Sequence, residues 1–172
     1  MKHTDHNGKP CPLAQTLGIV GDNWTLLILR NAFLGARRFD DFQQQLGLTR
    51  HVLTDRLKKL VEHEVFKKVP YGASQNRFEY RLTPKGAALS PVLMALGSWG
   101  NEWLFEKDQQ PMRYTHKTCG EELQAAAYCS CCDTNVGSRE IKMVSGPTIE
   151  ELKKSLNPQQ LTQALGFTPH SS

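Results

Sequence analysis

Two sets of residues in this chain of 172 have types and spacings that could do chemistry. The first is a group of thiols. Of five cysteines, Cys11 stands alone near the start, and Cys119, Cys129, Cys131 and Cys132 crowd into one short segment. There the sequence reads His116-Lys-Thr-Cys119 and, after nine intervening residues, Cys129-Ser-Cys-Cys132. Each pair has the two-residue gap by which one knuckle of backbone carries two donors to a tetrahedral metal, and nine intervening residues suffice for a small hairpin. Four donors with no spare position describe a structural Zn2+ held by His116, Cys119, Cys129 and Cys132. Two other readings stay open: reduced thiols packed in a hairpin, with Cys131 able to replace either neighbour as a ligand, and a disulfide formed under oxidation.

The second set lies in Thr49 to His63, TRHVLTDRLKKLVEH. At 3.6 residues per turn, Leu53, Leu57 and Leu60 share one stripe, while His51, Thr54, Asp55 and Lys58 take the opposite face. A face with that mixture of hydrogen-bonding groups and positive charge suits base edges and phosphates.

The flanking residues predict how such a helix is held. Phe39, Phe42 and Leu46 repeat at spacings of three and four, and the Gly47-Leu48 step permits a sharp turn into Thr49, a residue type that caps helix starts. After the helix, FKKV and RFEYRL form two strand-like runs around a polar tip, Pro70 to Asn76. Earlier, Leu13, Leu17 and Val20 mark a short helix ending at Gly21. Asp22 can cap the next one, in which Trp24, Leu27, Ile28 and Phe33 are expected to face a core. Thr83-Pro84 starts a long helix with Leu89, Val92 or Leu93, Leu96, Trp99 and Trp103 along one seam, kinked or weakened by Pro91, Gly97 and Gly100. Two tryptophans at its far end exceed what a small domain needs to cover itself, which favours a homodimer seam. A two-fold dimer presents two recognition helices about 34 Å apart, and its target is an inverted repeat.

These elements give a fold class of mainly α with a small β-wing (α+β), a winged helix-turn-helix domain plus a small C-terminal extension containing the Cys/His cluster. The expected divisions are an arm at 1–10, the winged helix with its dimerisation helices at 11–105, a linker at 106–112, and the extension at 113–172. In the extension, Thr148 and Glu151 make a capping box for one helix, and LNPQQLTQALGF begins another.

Composition sets the bounds. Charge is concentrated on the reading stretch: Arg30 to Lys85 holds 12 Lys and Arg against 6 Asp and Glu, and the rest of the chain 9 against 11. A local basic field is what a phosphate backbone attracts. No apolar run approaches the ~20 residues that span a bilayer. The polar start, MKHTDHNGKP, does not read as a secretion signal. A cytoplasmic protein without a membrane partner is expected, and cysteines there are free thiols, metal ligands or redox sensors. No GxSxG, HExxH, Walker loop or GxGxxG occurs, and a zinc deaminase would need a glutamate where Thr118 stands, so an enzyme is not expected.

The stretches CPLAQTLGIVGDNWTLLILRNAFLGARRF, LTRHVLTDRLKKL and FEYRLTPKGAALSPVL resemble, in order and over about residues 11 to 104, the HxlR-type winged-helix transcriptional regulators, relatives of the MarR group. The resemblance implies a homodimer built from the first helix and the long helix after the wing, binding double-stranded operator DNA. It places the recognition helix at Thr49 to His63 and the wing at Lys67 to Arg81. On that frame Arg50, His51, Thr54 and Lys58 are expected in the major groove, with Thr49 and the helix N-terminus on phosphate. Asp55 either accepts from cytosine or pairs with Lys59. Arg77, helped by Lys67, Lys68 and Gln75, reaches the neighbouring backbone or minor groove, and Arg37 and Arg38 meet phosphate or solvent. Some members of that family sense electrophiles or oxidants at the position of Cys11, and thiols at helix N-termini are the reactive kind; the alternative is a small buried apolar residue. The rival function is a winged-helix module that binds a protein partner.

Overall fold

The protein's computed structural model describes residues 10–72 and 77–165. These residues fall into two packing units, one of Leu26–Ile141 and one joining Met1–Thr25 to Lys142–Ser172. The Cys/His segment belongs to the first unit and the helices that follow it to the second.

In the larger unit, the helix-turn-helix is α3 (Phe39–Leu46) and α4 (Arg50–Glu62). Its turn works as the local chemistry predicts. Gly47 caps α3 in the left-handed region (φ 64°), and Thr49 starts α4 by accepting a hydrogen bond from the Val52 N–H. Phe42, Leu53, Leu57 and Leu60 have no exposed surface, and they are joined by Val65 and Phe66 just beyond α4. The Phe66 ring lies 6.2 Å from that of Phe42 and 6.4 Å from that of Tyr80, tying the core to the wing. The wing itself pairs β1 (Phe66–Pro70) antiparallel with β2 (Phe78–Leu82), Lys67 opposite Arg81 and Lys68 opposite Tyr80. Arg38 bridges to Glu79, and the Tyr80 N–H donates to the Arg37 carbonyl, so the entry to α3 forms a third rung of the wing.

Three expectations are corrected. The core side of α2 (Asn23–Phe33) is Thr25, Ile28, Leu29 and Ala32, all buried, whereas Trp24 and Phe33 are 40% and 37% exposed. The buried stripe follows the 3, 1, 3 spacing of one helix face, and Trp24 and Phe33 sit at either edge of it. The long helix after the wing is two, α5 (Pro84–Ala87) and α6 (Ser90–Leu104). Pro91 lacks an N–H and its ring would strike the carbonyl four residues back, at Ala87, where α5 stops. Gly97 and Gly100, by contrast, lie within an unbroken α6. Gly97 has a packing role: a Cβ there would come within 2.0 Å of the Tyr114 hydroxyl, whose ring crosses the helix at this point.

In the smaller unit, α1 (Pro12–Val20) buries Val20 and exposes Leu13 and Leu17, while Asp22 accepts from the N–H and hydroxyl of Thr25 at the start of α2. Helices α7 (Pro147–Ser155) and α8 (Pro158–Leu165) pack together, with Leu161 and Leu165 buried. The third correction is here. The expected capping box of Thr148 and Glu151 does not form, because α7 starts two residues earlier with Gly146 as its cap and Pro147 first in the helix. A reciprocal box does open α8, where Asn157 and Gln160 each accept from the other's N–H. Among the described residues no helix is long and apolar enough to cross a membrane.

Candidate nucleic-acid interface

With its leucines buried, α4 turns Arg50, His51, Thr54, Asp55 and Lys58 to solvent. Two pairs on this face lie one turn apart. His51 Nε2 lies 3.4 Å from Asp55 Oδ2, and Lys58 Nζ lies 3.7 Å from Glu62 Oε1. Asp55 thus pairs one turn back with His51 and not with Lys59. Exposed pairs of this kind are worth about 0–1 kcal/mol, so an incoming phosphate or base edge can displace them at little cost. The Arg50 guanidinium stands 4.8 Å from the centre of the Phe39 ring, which steadies it at the start of the helix without occupying all its donors.

The wing repeats this arrangement of cations on aromatic rings. Arg38 lies 4.6 Å over the Tyr71 ring, and the Lys68 ammonium is 5.9 Å from both Phe78 and Tyr80. Burial raises the Tyr80 phenol above its ordinary range, so that ring stays neutral beside the lysine. Lys67 and Arg77 are exposed, and Arg81 is held by Glu79 at 2.9 Å. One nitrogen of the Arg37 guanidinium donates to the carbonyls of Ala32 and Ala36 and closes the end of α2. Gln75 lies outside the described residues. The aromatic platforms Phe39 and Tyr71 were not read as site residues from sequence, since no local spacing links them to Arg50 and Arg38.

Along α6, Val92, Leu96, Trp99 and Trp103 are 47–66% exposed, forming an apolar stripe with Leu104 and Phe105 at its end. A contiguous exposed apolar run is the kind of surface that marks an interaction site.

The thiols are arranged as two pairs. His116 Nδ1 is 3.2 Å from Cys119 Sγ. The Cys129 sulfur accepts from the backbone N–H groups of Cys132 and Cys131, and these bonds lower the thiol below its ordinary range. Among the described residues no three or more donors are gathered into one metal-binding group. Cys11, half-buried, is the cap residue of α1, and its side chain makes no capping bond.

A family model described as HxlR-like helix-turn-helix matches residues 19–109. An uncharacterized HTH-type transcriptional regulator of Mycobacterium bovis is 39% identical over 135 residues, covering 78% of this chain and 85% of the relative. Among solved structures, PA1607, described as a candidate transcription factor, is 35% identical with a TM-score of 0.74, covering 83% of this chain and all of that one. The reduced form of the redox regulator HypR is 26% identical with a TM-score of 0.50, covering 54% of this chain and 92% of that one.

Proposed function

The chain belongs to the HxlR-like helix-turn-helix family of transcriptional regulators, and from that premise we propose that it binds an inverted-repeat operator as a cytoplasmic homodimer. The observation that carries the reading is the two-sidedness of α4, whose Leu53, Leu57 and Leu60 have no exposure while Arg50, His51, Thr54 and Lys58 face solvent. A helix so held offers its outer side chains already aimed, and binding then loses less entropy. In the complex, Arg50, His51, Thr54 and Lys58 enter the major groove. Thr49 and the N-terminus of α4 meet a phosphate, and Lys67, Lys68, Arg77 and Arg38 follow the flanking backbone. The exposed stripe of α6 closes against a second copy, which sets the two recognition helices one turn of B-DNA apart.

Control of the regulator is assigned to Cys11. A redox regulator stands among the structural neighbours, and the Cys11 thiol at the head of α1 is free of a capping bond. Oxidation or alkylation there would add bulk and polarity where α1 begins.

Selection of fragments from genomic DNA by the purified protein tests the reading. Recovered fragments are expected to share an inverted repeat with half-sites about one helical turn apart. Recovery without a common motif, or with an affinity that does not change with salt, would favour a protein partner. Cys11→Ser should leave operator binding intact while abolishing release by quinones or aldehydes.

A further inference from the structure

We propose that the segment from Arg113 to Val136 is a zinc ribbon, in which His116, Cys119, Cys129 and Cys132 bind one structural Zn2+. The inference is independent of the DNA-binding reading. It rests on the backbone as well as the spacing, because the structure builds the same knuckle twice, thirteen positions apart. Thr115 bridges Glu122 in the first hairpin, and Tyr128 pairs with Asn135 in the second. Within them His116 corresponds to Cys129 and Cys119 to Cys132. The residue after the second donor is left-handed in both, Gly120 at φ 78° and Asp133 at φ 53°. Left-handed backbone at a non-glycine position is uncommon, and here it falls where the first hairpin has its glycine.

The first knuckle also has the donor spacing a metal uses. Zinc bonds of about 2.0–2.3 Å at tetrahedral angles put two donors roughly 3.5 Å apart, and His116 Nδ1 is 3.2 Å from Cys119 Sγ. In the second knuckle the pairing of Cys129 with Thr134 and the left-handed Asp133 close the same kind of turn around Cys132. The thirteen-residue correspondence places Cys131 opposite Thr118, so it is the spare thiol. One imidazole and three thiolates with no open position select Zn2+ as a structural ion.

The surroundings supply the need. From Arg113 to Ile141 not one residue is buried, so these hairpins have no apolar core of their own. Small pieces of chain without a core are held by a disulfide or a metal. The two pairs are not gathered into one group in the structure described; the ion's role is to draw the knuckles together.

The test is metal analysis of the full-length protein purified without chelator. One zinc per chain is expected, retained in Cys131→Ser and His116→Cys and lost in His116→Ala, Cys119→Ser and Cys132→Ser. Titration of metal-free protein with Co2+ should give thiolate charge-transfer bands and tetrahedral d–d bands saturating at one equivalent. A wild-type chain that holds no zinc and gives no such bands, or zinc lost in Cys131→Ser but kept in Cys132→Ser, would overturn the assignment. So would iron in place of zinc.

Discussion

Between Ile28 and Phe66 the chain sets Ile28, Leu29, Phe42, Leu53, Leu57 and Leu60 at zero exposure, whereas between Arg113 and Ile141 it buries nothing, though both stretches belong to one packing unit. The first is shaped by apolar burial, and its polar face is a consequence: once three leucines fix the roll of α4, the direction of Arg50 and Lys58 follows. The second has hairpin registers and turn geometry but no interior to hold them. A region built the first way can be read by its hydrophobic period. A region built the second way must be read by its donors.

The largest effect that would break this comparison is on stability. Leu57→Ala should cost about 2–5 kcal/mol in denaturant unfolding, because it empties a fully buried site. Ile141→Ala, at a position 57% exposed, should stay within about 0.5 kcal/mol. Equal costs would mean that the extension has a hidden core. Next, Gly97→Ala should cost roughly 1–3 kcal/mol by overpacking against Tyr114. Most of that should vanish in a Gly97→Ala, Tyr114→Ala double variant, which would locate a place where the residues after α6 lean on that helix. Loss without recovery would assign the cost to the helix alone.

On the DNA side, Arg50→Ala should cost about 1–3 kcal/mol at the operator and relax the preference at one base, with the unfolding midpoint nearly unchanged. The smallest effect is that of Lys67→Ala. It should weaken every sequence alike and reduce the salt slope by about one. If Lys67→Ala altered base preference, the division between a reading helix and a positioning wing would need revision.

The helix-turn-helix was legible because its determinants are local. The Phe39, Phe42 and Leu46 spacing, the Gly47 turn, the Thr49 cap and the leucine stripe all lie within a few residues of what they specify. The wing was legible from the polar tip between two β-rich runs. What escaped depends on distant partners. Trp24 and Phe33 are apolar enough for a core, but the stripe of Thr25, Ile28, Leu29 and Ala32 already fills it. The break before α6 was present in Pro91, yet the apolar repeat runs through it and reads as one helix. Asp55 had two partners within one turn, His51 and Lys59, and no spacing rule chooses between them. Ring platforms such as Tyr71 beneath Arg38 are set by tertiary contact alone. In the extension, HxxC and CxxC marked the candidate donors, but the left-handed turn at Asp133 that makes the two knuckles alike needed the backbone.

The measurement closest to the centre of this account is the salt dependence of binding to a selected operator fragment, for the wild-type chain beside Arg50→Ala. The account predicts that wild-type affinity falls steeply and linearly with log salt, and that Arg50→Ala binds the operator about tenfold or more weaker while its affinity for unrelated DNA changes far less. Equal affinity of the two proteins for the operator across the salt series would contradict it.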